Sequence, residues 1–204
     1  MQKVIVFDLG GVIVNVRHQW RERCEAAGVH CPLQSAETGE ALDALYRSYH
    51  AGDFELDVLC LKISALLEQR CSPDQARDIH RAILNGEYSG VGDIITGLQS
   101  RGHLTALFSN TCSDHWEVLK TYPTVARMEH HFVSYEMGWA KPDLHAYQLL
   151  QERLQVEACA ILFFDDLMEN VQAARRAGWR AEHITLDSAP AEQLRHHLRR
   201  HQLL

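Results

Sequence analysis

The sequence predicts an α/β fold, a doubly wound parallel sheet with a helical cap inserted after its first strand. Three observations predict it. Val4-Ile5-Val6-Phe7, Leu104-Thr105-Ala106-Leu107-Phe108 and Ile161-Leu162-Phe163-Phe164 are short, unbroken apolar runs, the pattern of strands buried on both faces. Amphipathic helical stretches alternate with the later runs, which implies right-handed βαβ crossovers and helices on both sides of the sheet. Between the first run and the rest, residues 16–85 read as helices alone. The expected division is a core of residues 1–15 plus 86–204 and a helical cap of residues 16–85.

Taken in order, the first run ends on Asp8, and Gly10-Gly11 lets the backbone turn before Val12-Ile13-Val14. A charged helix over 17–27 carries Trp20 and Cys24 four apart and stops at Gly28. Leu42, Leu45, Tyr46 and Tyr49 define a helix over 40–50, broken by Gly52-Asp53. Leu56, Leu59, Cys60, Ile63, Leu66 and Leu67 define another over 54–69. Ser72, with Pro73 in the first turn and Gln75 three residues on, is the N-cap of a helix expected to end near Asn85-Gly86. No strand is expected over 17–85.

From Glu87 the α/β rhythm begins. A helix over 91–99 leads to the second strand, which stops at Ser109-Asn110-Thr111. A helix with Trp116 and Leu119 follows, capped by Ser113 or Asp114. Phe132-Val133-Ser134-Tyr135 is the third strand. A loop brings in Lys141-Pro142-Asp143, with Pro142 in the first turn of a helix through Tyr147, Leu150 and Leu154. The fourth strand stops at Asp165-Asp166, a helix covers 169–176, the last strand runs from Ala181 to 185, and a helix rich in Arg and His starts at Pro190.

The chain has 204 residues, 27 acidic against 20 basic, for a net charge of −7. That balance gives no electrostatic reason to expect nucleic acid or an anionic membrane. The six cysteines form no CxxC pair and no zinc-finger spacing with histidine, so they read as reduced thiols. Only Met1-Gln2-Lys3 precede the first strand and no apolar run reaches membrane-spanning length, so a cytoplasmic location is expected. The sequence says nothing about oligomeric state.

A parallel sheet brings its strand ends to one edge, where ligands bind. Here the ends supply Asp8, Ser109 with Asn110, and Asp165 with Asp166, while Lys141 follows the third strand. Taken singly, each has an ordinary explanation: a turn, a helix cap, a surface lysine. Together they make a site. Clustered carboxylates repel and raise one another's pKa unless a cation joins them. Magnesium suits a few carboxylate oxygens and leaves room for a phosphate, which Ser109, Asn110 and Lys141 can hold from the other side. The set suits phosphoryl transfer, where catalysis is positioning plus charge neutralisation. His196, His197 and His201 lie on the arginine-rich terminal helix and read as a solvated basic face rather than a metal site. His130-His131 read as the start of a strand edge. Trp20 and the Leu and Tyr positions of the insertion read as packing between cap helices.

These motifs resemble those of the haloacid dehalogenase superfamily of phosphohydrolases. Phe7-Asp8-Leu9-Gly10-Gly11-Val12 is similar to its first motif, Phe108-Ser109-Asn110-Thr111 to its second, and Lys141-Pro142-Asp143 to its third. Phe163-Phe164-Asp165-Asp166 with Asn170 is similar to its fourth. Each alone is weak; four in order are specific. The resemblance implies a Rossmann-like core and a small phosphorylated substrate, with Asp8 as the nucleophile that becomes an aspartyl-phosphate. It implies magnesium held by Asp8, the Gly10 carbonyl and Asp166, with Asp165 close by, and phosphoryl binding by Ser109, Asn110 and Lys141. The subgroup it most resembles contains an α-D-glucose-1-phosphate phosphatase, which likewise has Gly at the second position of the motif.

One departure matters. Most phosphatases of the family carry an acid/base Asp two residues after the nucleophile, where this chain has Gly10. Losing such a group costs on the order of 10²–10⁴ in rate. Three readings follow: a substrate with a good leaving group, such as a sugar 1-phosphate; another proton donor, with His18 as a candidate; or a non-catalytic protein that binds phosphorylated metabolites. The dehalogenase branch is disfavoured because its motif-I Tyr is absent too.

Overall fold

A computed structural model of the chain describes residues 3–32, 35–50 and 52–204. Met1 and Gln2, on which the expectation of no leader segment rests, lie outside the described residues. β1 (Val4–Phe7) is buried along its whole length. After a tight turn comes β2 (Val14–Val16), then α1 (Trp20–Ala26), α2 (Ala36–His50), α3 (Leu56–Leu66) and α4 (Pro73–Arg81). β3 (Leu84–Glu87) returns antiparallel to β2. The α/β alternation follows: α5 (Val91–Ser100), β4 (Leu104–Ser109), α6 (Ser113–Leu119), α7 (Pro123–Ala126), β5 (His130–Val133), α8 (Ser134–Met137) and α9 (Leu144–Leu154). β6 (Ile161–Asp165), α10 (Met168–Arg176), β7 (Arg180–His183) and α11 (Pro190–Arg200) complete it.

The main sheet has the order β5-β4-β1-β6-β7 and its paired strands are all parallel. Alternate side chains feed two cores, as the period-2 pleat requires. Ile5, Phe7, Leu107, Leu162 and Phe164 pack with α5 and α11 on one face. Val6, Ala106, Phe108 and Phe163 pack with α9 and α10 on the other. A third cluster lies among α1–α4, built from Trp20, Leu42, Tyr46, Tyr49, Leu59 and Ile63, and it includes Cys112 from the turn before α6. Among the described residues, no helix is long and apolar enough to cross a membrane.

Several elements differ from expectation. β3 falls partly where no strand is expected: Leu84-Asn85-Gly86-Glu87 has no apolar alternation and becomes a strand only because β2 lies beside it. α4 accordingly stops at Arg81, short of Asn85-Gly86. The capping box of Ser72 and Gln75 is formed on both sides. α6 follows Cys112, so neither Ser113 nor Asp114 is its cap residue. β5 begins at His130, and Ser134 and Tyr135 turn into α8 instead of extending it. Asp143, not Pro142, stands at the start of α9, accepting the His145 N–H. His197 and His201 are not a solvated face: both are half-buried against Glu182, at 3.3 and 2.7 Å.

Candidate active site

The register sets Phe7 level with Leu107 on one side and with Phe164 on the other. Asp8, Ser109 with Asn110, and Asp165 with Asp166 therefore emerge along one edge, at the centre of the sheet. Lys141 arrives from the loop between α8 and α9. Its Nζ lies 2.9 Å from Asp8 Oδ1 and 2.6 Å from Asp165 Oδ2. The rings of Phe108 and Phe163 each lie 5.3 Å from the same nitrogen, so the ammonium sits on two aromatic faces with water excluded.

Asn110 explains why Lys141 is in place. Its Oδ1 accepts the Lys141 main-chain N–H at 2.8 Å and its Nδ2 donates to the Lys141 carbonyl at 2.7 Å. Both ends of the amide are thus engaged in clamping the lysine. Ser109 is buried, lines the cavity, and its hydroxyl makes no hydrogen bond among the described residues.

The two adjacent aspartates are divided by the strand pleat. Asp165 is fully buried. Its Oδ1 accepts from the Leu167 N–H and Asn170 Nδ2, and its Oδ2 from Lys141 and Asn170. Asp166 points into the cavity and its carboxylate accepts no side-chain hydrogen bond among the described residues. Its main-chain carbonyl is pinned by His183 Nε2 at 2.8 Å. Gly11 lets it in: at φ +73°, a Cβ there would lie 2.5 Å from Asp166 Oδ2. At Gly10 a Cβ would meet only Val16, at an ordinary 3.5 Å.

Asp8, Asp165 and Asp166 each offer an oxygen within 4.8 Å of the others. Burial first, then the Asp165 charge, pushes Asp8 up to about 6 against the pull of Lys141. Burial and the Asp8 and Asp165 charges push Asp166 up to about 7. Burial works against the Lys141 ammonium, yet Asp165 and Asp8 hold its pKa above the ordinary value. One lysine does not balance three carboxylates, and this all-oxygen donor set fits a hard divalent cation. Since Asp165 is saturated, Asp8 and Asp166 are the carboxylates with oxygen to spare for it.

Above them opens a cavity of about 720 Å³. Its far wall comes from the insertion: His18, Arg23, Asp43, Tyr46, Arg47 and His50. Arg23 shapes that wall by donating to the carbonyls of Arg17 (2.6 Å) and His18 (2.9 Å). Arg17 in turn donates to the carbonyls of Ala82 and Leu84 and to Asn85 Oδ1, tying the two connections of the insertion together.

Sequence reasoning missed several supporting residues. Ser134 Oγ accepts from the Thr111 N–H and donates to the Thr111 carbonyl, both at 3.1 Å. Tyr147 donates to the Asn170 carbonyl at 3.0 Å. His183 and Arg17 complete the set. Each acts on a main-chain group distant in sequence, and no local pattern marks such a contact.

The chain is 24% identical over 176 residues to the enolase-phosphatase E1 of Yersinia enterocolitica, covering 80% of this chain and 76% of that one. Over 45 residues it is 51% identical to the phosphatase MT3486 of Mycobacterium tuberculosis; that match spans 22% of this chain and only 21% of the mycobacterial protein. The HAD family enzyme bt-2542 of Bacteroides thetaiotaomicron, solved with magnesium and inorganic phosphate, superposes with a TM-score of 0.76 at 21% identity, over 92% of this chain and 96% of that one. The haloacid dehalogenase-like hydrolase family matches residues 2–178, which is most of the chain. The chain belongs to the haloacid dehalogenase-like hydrolases.

Proposed function

We propose that this chain is a magnesium-dependent phosphatase of a small phosphorylated metabolite, acting through a phosphorylated Asp8. The observation that carries the reading is the Lys141 bridge. One buried ammonium holds Asp8 by one oxygen and the saturated Asp165 by another, at the mouth of a cavity large enough for a sugar phosphate. Magnesium would be held by Asp8, Asp166 and the Gly10 carbonyl, and supplies charge neutralisation for the phosphoryl oxygens. Magnesium and phosphate in bt-2542, which shares this fold, support the same reading.

In the first step an Asp8 oxygen attacks phosphorus, the Asp8 O–P bond forms, and the bond to the leaving oxygen breaks. Lys141 holds the carboxylate in line, and Ser109 is free to donate to a phosphoryl oxygen. In the second step water attacks phosphorus, the Asp8 O–P bond breaks, and inorganic phosphate leaves. Gly10 supplies no proton to the leaving oxygen, so the favoured substrates have good leaving groups, a sugar 1-phosphate such as α-D-glucose 1-phosphate among them. His18 lines the cavity, and burial lowers its pKa. At neutral pH it is the unprotonated form, which suits a base for the attacking water better than an acid for the leaving group.

Turnover of p-nitrophenyl phosphate and of a sugar phosphate panel, with and without magnesium, tests the reading. Magnesium-dependent release of phosphate, lowered on the order of 10³-fold or more by Asp8→Asn, is expected. The missing side chain at Gly10 favours a second reading, a binding protein without turnover. Tight binding of a sugar phosphate with no phosphate released, unchanged in Asp8→Asn, would establish that reading instead.

A further inference from the structure

Away from the carboxylates, α4 of the insertion meets the start of α6 of the core at three buried side chains, His80, Cys112 and His115. Each offers a donor atom within 4.8 Å of the other two. His80 Nε2 lies 3.9 Å from Cys112 Sγ and 3.7 Å from Asp114 Oδ2. His115 Nε2 donates to the His80 carbonyl at 3.0 Å, which leaves its Nδ1 as a bare lone pair. His80 Nδ1 is buried without a partner. The two imidazoles stack 4.0 Å apart, 6° from parallel, with Tyr46 and Tyr49 packed against His80.

Packing alone does not call for this set. Apolar side chains would fill the space without an orphaned ring nitrogen, and each buried unsatisfied polar group is costly. Burial lowers the pKa of both imidazoles, so their lone pairs are available at neutral pH.

We propose that His80, Cys112 and His115 form a second metal site, for a borderline-soft divalent cation of the zinc class with water as the fourth ligand, that pins the insertion to the core. A tetrahedral site with metal–nitrogen distances of about 2.0–2.1 Å and a metal–sulfur distance of about 2.3 Å has ligand-to-ligand edges of about 3.3–3.7 Å. The His80–Cys112 contact at 3.9 Å is within a few tenths of an ångström of that range. Parallel stacked rings do not aim their lone pairs at one point, so loading turns the His80 ring about its Cβ–Cγ bond, a soft torsion, and the 3.9 Å contact is that of the metal-free site. The Cys112 thiol releases its proton to solvent as the sulfur–metal bond forms. The His115 Nε2–H bond to a carbonyl is the outer contact that fixes the tautomer of a ligating histidine. Thiolate and imidazole select a different ion from the all-oxygen cluster at Asp8, so the two sites do not compete.

The test uses the full chain, stripped with a chelator, saturated with magnesium and titrated with Co²⁺. One equivalent is expected to bind, with a thiolate-to-cobalt charge-transfer band and the visible bands of tetrahedral cobalt, all bleached by Zn²⁺. Cys112→Ser is expected to remove the charge-transfer band, and His80→Gln to weaken binding by about tenfold or more. No such band in the wild type, or a band that persists in Cys112→Ser because another thiol carries it, overturns the proposal. Zinc-edge X-ray absorption of the wild type needs no variant to fold. A shell with one sulfur and two imidazole nitrogens supports the site, and a shell of oxygens alone overturns it.

Discussion

Gly11 shows how much one missing methyl can decide. A Cβ at this position would both enter the left-handed region and stand 2.5 Å from Asp166 Oδ2. Gly28 has a similar φ of +67° with nothing within 4 Å, so it isolates the backbone cost from the clash. Gly28→Ala should therefore lose about 1–3 kcal/mol of stability with magnesium affinity unchanged. Gly11→Ala should lose at least as much stability and also weaken magnesium binding by about tenfold or more, because Asp166 must swing away. Calorimetric titration with magnesium beside urea unfolding of both variants reads the difference, and equal magnesium affinity in the two would count against Asp166 as a ligand. The same scale shows what a sequence can hide. The motif positions Asp8, Ser109, Asn110, Asp165 and Asp166 were legible because buried strands run straight into them, and Lys141 because its Lys-Pro-Asp triplet stands out in the loop after the third strand. Their division of labour was not. Asn110 turns both ends of its amide to the Lys141 main chain, and only the pleat separates the saturated Asp165 from the open Asp166.

Legibility among the elements followed the range of the interactions that make them. α4 was readable because its start is a local device, the reciprocal bonds of Ser72 and Gln75. Ser72→Ala should destabilise the protein by about 1 kcal/mol in urea unfolding, with the slope of the transition unchanged. A loss within error of zero would mean the box is redundant with the packing of Ala76 and Ile79. β3 was not readable, since its strand character is conferred by β2 and by Arg17 reaching across from the other connection. α8 is a similar case: Ser134 spends its hydroxyl on Thr111, and the chain turns where its sequence would allow a strand to continue.

At the scale of the whole molecule, the most consequential charges are the carboxylates crowded at the sheet edge, Asp8, Asp165 and Asp166. Folding raises Asp8 to about 6 and Asp166 to about 7, from an ordinary 3.8, with burial the leading cause for both. The folded chain therefore holds extra protons between about pH 4 and pH 7. The stability these groups contribute is present below that window and is lost as pH rises through the folded values. On the proposed reading, magnesium would compete with those protons for the same oxygens. The rise in melting temperature on adding saturating magnesium should thus be larger at about pH 8 than at about pH 5.5. Thermal scans at the two pH values check it; an equal rise at both would place the magnesium elsewhere.

The ribbon of β2 and β3, tied again by the three bonds of Arg17, joins the two passages between core and insertion into a single strap. Two separate tethers would leave the insertion free to twist against the core; one strap resists that twist. The cavity walls that the insertion supplies are thereby held in one registration with the sheet edge below.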